Sequence, residues 1–173
     1  MQNILIVVDM QKDFVDGALG TPEAQKIVPN VVKKIEEFQG TIFVTYDTHS
    51  ETYMDTAEGK KLPVPHCING TPGWELDHAV MTALSGKDYI CVGKPTFGSI
   101  ALPDLIRKEV GDEPFSIELI GLCTDICVVS NALLLKANFP EVPIYVDASC
   151  CAGVTPESHE AALTTMRMCQ IDV

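Results

Sequence analysis

Stretches in which every side chain is apolar alternate along this chain with stretches in which apolar residues return at helical spacing. Ile4 to Val8 is apolar at every position and closes on Asp9, the pattern of a strand covered on both faces, as in the middle of a parallel sheet. Thr21-Pro22-Glu23 offers an N-cap followed by proline at the first helical position. It predicts a helix running to about Phe38 and stopped by Gly40. Thr41 to Tyr46 is rich in β-branched residues and reads as a second strand. Tyr89 to Val92, Phe115 to Ile120 and Pro143 to Val146 repeat the strand signal. Helices are predicted over Glu75 to Ser85, from about Ile100 to Glu109, from a Thr124 cap to near Asn138, and after Thr155-Pro156-Glu157. Ile171 to Val173 reads as the start of a sixth strand.

Repeated βα units imply parallel strands joined by crossover helices. The expected fold is a single α/β domain over residues 1–173, a three-layer α/β/α sandwich around a mainly parallel, roughly six-stranded sheet. Ligands of such sheets sit beyond the carboxyl ends of the strands. Asp47 to Trp74 breaks the rhythm with three prolines and three glycines, and it also carries two histidines. An irregular loop of that length in a compact domain points to function.

Bulk properties narrow the classes. The 173 residues suffice for one sizeable core, and 46% hydrophobic with 21% charged residues is an ordinary globular balance. A formal net charge of −12 and the lack of any Lys/Arg cluster exclude a phosphate-backbone binder. The apolar N-terminal run is too short for a membrane span and has no basic region ahead of it, so a cytoplasmic location with no membrane partner is expected. Seven cysteines, an odd number in a chain that is no small disulfide scaffold, are expected as free thiols.

Polar residues gather at the predicted strand ends: Asp9, then Asp47 and His49, then Lys94, then Cys127. In Gly121-Leu122-Cys123-Thr124-Asp125-Ile126-Cys127 a strand turns tightly into a helix. Cys127 in the first helical turn would meet unpaired N–H groups that favour a thiolate and can hold an oxyanion. A carboxylate at Asp9 is a candidate base, and burial would raise its pKa toward the useful range. Lys94 beside them would hold both as charged groups. Asp47 and His49 share one face of an extended segment, and with His66 they form a candidate divalent-cation set, Glu58 being a further or outer ligand. Phe14, Trp74 and Phe97 are candidate pocket walls. Each of these groups also has a plain structural reading as core cysteine, turn-capping aspartate, solvated lysine or packed aromatic.

Val7 to Phe14, V-V-D-M-Q-K-D-F, resembles the opening motif of the isochorismatase-like cysteine hydrolases, the superfamily that contains the nicotinamidases. Gly93-Lys94 is similar to its lysine segment, and Gly121 to Val128 to its nucleophile turn. Asp147-Ala148-Ser149 through His159 resembles its last strand and helix. The resemblance implies a catalytic set of Asp9, Lys94 and Cys127, a cis peptide at Leu122–Cys123, and an oxyanion held by the N–H groups of Cys123 and Cys127. It implies hydrolysis of a small carboxamide such as nicotinamide, and a metal on Asp47, His49 and His66, zinc first, with iron or manganese as alternatives. It also implies a homo-oligomer. The chain departs from the nicotinamidase pattern in the short Pro95-Thr96-Phe97-Gly98-Ser99 segment and in Ile126 ahead of the cysteine. The cysteine itself argues against vinyl-ether hydrolysis. Two other readings are a carbamoyl or ureido amidohydrolase of the same superfamily, and a non-hydrolytic Cys/His redox or metal module.

Overall fold

The computed structural model describes all residues 1–173. Five strands form one all-parallel sheet: β1 (Gln2–Val8), β2 (Thr41–Asp47), β3 (Tyr89–Lys94), β4 (Phe115–Leu122) and β5 (Ile144–Ala152), in the order β3-β2-β1-β4-β5. β1 is central, and Ile4 to Val8 are buried without exception. That explains why its sequence does not alternate, since water reaches neither face.

Alternate residues of β1 feed two separate cores. Ile4, Ile6 and Val8 pack with Leu102, Ile106 and Val110 of α5 (Leu102–Val110), with α6 (Val129–Asn138) and with Leu163 and Met166 of α7 (Pro156–Met168). Leu5 and Val7 pack on the other side against Ala24, Ile27, Val31 and Ile35 of α2 (Pro22–Glu37) and against α4 (His78–Leu84). Period-2 alternation in the strand thus meets helical stripes on both faces, and the expected three layers follow. α2 begins as the sequence predicts, with Thr21 Oγ1 accepting from Ala24 N–H at 3.0 Å and Pro22 at the first position. Two further short helices, α1 (Lys12–Val15) and α3 (Ala57–Lys61), belong to the connections. No helix is long and apolar enough to cross a membrane.

The sheet stops at five strands. The C-terminal segment makes only one isolated parallel bridge, Tyr145 to Asp172. β5 instead runs six residues past its predicted end. Its polar second half hides the strand signal: Asp147 is paired with Lys34 at 2.9 Å, and Ser149 accepts from Asn30 Nδ2 at its carbonyl. β2 and β3 also extend, to Asp47 and Lys94, so these two residues are strand ends rather than loop residues.

Strand order reverses direction between β1 and β4. The chain leaves β1 toward the α2 layer and leaves β4 toward the α6 layer, which opens a crevice above their carboxyl ends. Asp9 and the turn after β4 lie at that point.

Candidate active site

Asp9 follows β1 with φ at +46°, the left-handed region, which costs an L-residue about 1–2 kcal/mol. The neighbouring strand holds it there. Val8 is in register with Thr45, and the Asp9 N–H donates to Thr45 O and Oγ1, both at 3.2 Å. Thr45 Oγ1 in turn donates to Asp9 Oδ1 at 2.6 Å. One threonine therefore fixes both the backbone and the carboxylate.

Lys94 is the register partner of Asp47 across β2 and β3. It is 1% exposed, which removes the reading of a solvated surface lysine. Its Nζ lies 2.6 Å from Asp9 Oδ2, 3.5 Å from Cys127 Sγ and 3.5 Å from Asp47 Oδ1, and it donates to Thr96 O at 3.1 Å. The contact to Asp9 Oδ2 is a buried, charge-assisted ion pair.

β4 delivers the third group. Gly121, with φ at +115°, lies against the Val8 backbone, where a Cβ would collide with the Val8 carbonyl. This close approach brings the turn after β4 over the end of β1. The Leu122–Cys123 peptide is cis, where the family resemblance puts it. Thr124–Val128 then forms one π-helical turn that leads into α6. The cap is Cys123, whose carbonyl accepts from Ile126 and Val128 N–H, and not Thr124, whose Oγ1 meets His159 Nδ1 at 2.8 Å. Cys123 N–H has no backbone acceptor and lines the same pocket as Cys127. Cys127 is buried in this turn, and its carbonyl accepts from Asn131 Nδ2 at 2.8 Å.

The electrostatics follow from burial with one cation among anions. Burial raises the Asp9 pKa above the usual carboxylate range; Lys94 opposes this and Asp47 adds to it. Burial pushes the Cys127 thiol well up, with Asp9 acting in the same sense and Lys94 against. Burial would favour neutral Lys94, but Asp9, Cys127 and Asp47 hold its proton and leave its pKa above the lysine range. A neutral thiol beside a carboxylate of raised pKa can exchange a single proton, with Lys94 steadying whichever partner is charged.

Asp47 connects this set to a second one. While Oδ1 faces Lys94, Oδ2 lies 3.0 Å from His49 Nε2 and 3.6 Å from His66 Nε2. Glu58 Oε1 stands 3.8 and 3.7 Å from the same two ring nitrogens. One ligand atom from each of Asp47, His49, Glu58 and His66 lies within 4.8 Å of every other. His66 Nδ1 donates to Val64 O at 2.8 Å, which turns Nε2 inward toward Asp47 and Glu58. Two imidazoles and two carboxylates fit a divalent cation in composition and convergence. Burial would raise the Asp47 pKa, yet hydrogen bonds from His49 and His66 and the Lys94 charge hold it below the carboxylate range.

Cys127 of the candidate triad and Asp47, Glu58 and His66 of this cluster line one cavity, and Asp9 and Lys94 lie behind it. Cys127, Cys123, Asp47, Glu58 and His66 form its polar side, and Phe14, Leu19, Leu62, Phe97 and Ile126 its apolar side. Phe14 and Phe97 thus line this cavity. Trp74 does not. Its ring lies against Tyr46 at 5.1 Å between centroids, and its Nε1 donates to Thr48 Oγ1 at 2.9 Å. It braces the long loop because its polar edge finds a partner there.

Several residues that position the site carry no signal in the sequence. Gln11 is fully buried and clamps Asp47, accepting from its N–H at 2.7 Å and donating to its carbonyl at 2.9 Å and to Trp74 O at 2.8 Å. Asp13 Oδ2 accepts from Cys67 N–H at 2.8 Å, next to His66. Tyr53 packs edge-on against both histidines of the candidate metal cluster, at 4.8 and 5.0 Å. Gln11 and Asp13 fall inside the Val7–Phe14 motif, which was the available clue.

Known proteins resemble this chain along its whole length. The family model for the isochorismatase domain matches residues 3–173. The nicotinamidase/pyrazinamidase of Mycobacterium tuberculosis is 25% identical over 185 residues, covering 98% of this chain and 96% of that protein. The crystal structure of nicotinamidase/pyrazinamidase PncA from Bacillus subtilis aligns with a TM-score of 0.84 at 28% identity, over 100% of this chain and 99% of that one. The pyrazinamidase of Pyrococcus horikoshii, solved in complex with zinc, aligns with a TM-score of 0.81 at 27% identity, over 99% of this chain and 98% of that one. A family model matched over nearly every residue, on a fold shared end to end, means that the chain belongs to the isochorismatase family.

Proposed function

We propose that the chain is a cysteine amidohydrolase that converts a small neutral carboxamide of the nicotinamide type to its acid and ammonia. The observation that carries this reading is the position of Lys94 Nζ, 2.6 Å from Asp9 Oδ2 and 3.5 Å from Cys127 Sγ, with all three groups buried.

The Cys127 thiol gives its proton to Asp9 Oδ2, and the sulfur attacks the amide carbonyl carbon. Lys94 stays protonated and balances whichever of the two is charged. The oxygen of the tetrahedral intermediate is met by the N–H groups of Cys123 and Cys127. Asp9 returns the proton to the amide nitrogen, the C–N bond breaks, and ammonia leaves a thioester on Cys127. A water then loses a proton to Asp9 and adds to the thioester carbon. The C–S bond breaks, and the sulfur regains the proton, giving the carboxylic acid and the starting thiol.

Asp47, His49 and His66, with Glu58 as fourth ligand, would hold a zinc ion, as the donor set and the zinc-bound relative support. Such an ion supplies a positive charge that anchors a ring heteroatom of the substrate. Phe14 and Phe97 then face the ring. Neither the pocket nor the cavity adjoining it contains a lysine or arginine to pair with a substrate carboxylate. That weighs against carbamoyl amino acids. The test is ammonia release from nicotinamide, pyrazinamide and an N-carbamoyl amino acid by wild type and Cys127→Ala. Turnover of the first two that depends on the cysteine is expected. Preference for the carbamoyl acid, or turnover that survives Cys127→Ala, overturns the reading.

A further inference from the structure

The pocket around Cys127 does not close at Cys123. A second cavity continues from it, and Phe14, Leu62, Cys123 and Ile126 belong to the walls of both. Its far wall includes Ala24, at the start of α2, and Val154, just past β5. The two spaces differ in chemistry. The first has three ionisable ligand residues, Asp47, Glu58 and His66, along one side. The second has no ionisable group except the Cys123 thiol, which burial keeps protonated by pushing its pKa to about 12. The one hydroxyl there, that of Thr21, already accepts from Ala24 N–H at 3.0 Å to cap α2. Water in such a space finds few partners, and an apolar group that displaced it would gain free energy.

We infer that the substrate carries an apolar substituent which occupies this annex while its carboxamide lies against Cys127. The substrate class is then an alkyl- or aryl-substituted aromatic carboxamide, and the bare ring amide is the poorer member of it. The inference rests on the amidase reading above. Continuity supports it: the shared wall runs past the attacking sulfur, so a ring held at the polar side and extended past Cys123 enters the annex without crossing a charged group. One of the chain's departures from the nicotinamidase pattern lies here too, since Ile126 stands at the junction of the two spaces.

The experiment measures kcat/KM for ammonia release from pyridine-3-carboxamides bearing hydrogen, methyl, propyl or phenyl at each open ring carbon. At one ring position kcat/KM is expected to rise by roughly tenfold or more from hydrogen to propyl, the discrimination an apolar pocket gives for added carbons. Val154→Glu should lower the propyl-to-hydrogen ratio by a similar factor. Val154→Trp, which fills the annex without charge, should do the same, so the test stands if one variant fails to fold. Hydrolysis of the parent amide with no gain from any substituent overturns the inference and leaves the amidase reading intact. A gain that neither variant reduces also overturns it. No hydrolysis of any member, the parent included, overturns the amidase reading and the inference with it.

Discussion

Replacing Lys94 with methionine keeps an apolar stem in place and removes the only cation between two buried carboxylates. In the folded protein Lys94 Nζ is 2.6 Å from Asp9 Oδ2 and 3.5 Å from Asp47 Oδ1. Breaking a buried ion pair from one side costs about 3–5 kcal/mol, because a charge is stranded. Here the cost has a ceiling that depends on pH. Asp9 can escape by taking up a proton, and at pH 7 holding a carboxyl of unfolded pKa about 3.9 in its neutral form costs roughly 4 kcal/mol at 1.36 kcal/mol per pH unit. At pH 5 the same ceiling is about 1.5 kcal/mol. The direction follows from linkage. The Asp9 pKa is already raised by burial, and losing Lys94 raises it further. The penalty is therefore fully present above the folded pKa and vanishes below the unfolded one. Urea unfolding with a chelator present should show Lys94→Met destabilised by about 2–4 kcal/mol at pH 7 and by less than about 1.5 at pH 5. Asp9→Asn/Lys94→Met should be more stable than Lys94→Met alone at pH 7, since the stranded charge is gone. A loss equal at the two pH values, or additive single effects, would refute the claim that Lys94 serves mainly to neutralise Asp9.

Cys127→Ala should lower amide turnover by roughly 10³-fold or more, read as ammonia release, with the unfolding midpoint little changed because a small buried side chain is exchanged for a smaller one. The acidic limb of kcat/KM should fall above the ordinary carboxylate range of about 4, since the raised Asp9 pKa removes the ionised base as pH drops; a limb at or below pH 4 rules out Asp9 as that base. Metal analysis after loading should find one ion per chain, and His66→Ala should abolish tight binding. In isothermal titration Glu58→Gln should weaken binding less than His66→Ala does, because Glu58 is the half-buried member at the greatest distance.

Much of this site was legible because parallel strands end in polar residues. Apolar runs locate the ends of β1, β2 and β4, so Asp9, Asp47 and the Cys127 turn can be placed on one rim from the sequence alone. The register that makes Lys94 the neighbour of Asp47 cannot be read that way, because it depends on pairing between strands about fifty residues apart. Gln11 and Thr45 escaped for a related reason: each acts by hydrogen bonds to residues 36 positions away. Trp74 was misplaced because an aromatic beside a functional loop reads equally as pocket wall or loop brace, and only the Thr48 hydroxyl under its Nε1 decides between them. The second half of β5 was missed because Asp147 pairs with Lys34 across the layer. A strand stabilised by such a contact loses its hydrophobic signature.

The long loop raises the sharper question of how ligands carried outside regular structure are held to the precision that a metal site needs. His49 and His66 are separated by a 3-10 turn at Tyr53–Asp55 and by α3, and neither element reaches the sheet core. Three fastenings answer it. The His49 N–H donates to Cys67 O at 3.0 Å and the Asn69 N–H to His49 O at 2.9 Å, so the outgoing and returning limbs pair at the ligands themselves. Asp13 grips Cys67 N–H from the β1 connection, and Gln11 ties Asp47 to the far end of the loop at Trp74. The Tyr53 ring packs edge-on against both imidazoles, which also touch each other, and is anchored by its hydroxyl to Leu62 O at 2.9 Å. Two of these fastenings, Gln11 and Asp13, sit on the same Val7–Phe14 segment that supplies Asp9. On the proposed function, Asp9, Gln11, Asp13 and Phe14 of this one stretch serve both the metal cluster and the chemistry at Cys127, and the stretch continues from the most buried strand of the sheet. A shift of that segment would displace the candidate base, the candidate metal cluster and the pocket wall together, which makes Gln11 and Asp13 positioning residues of the candidate site although neither lines its cavity.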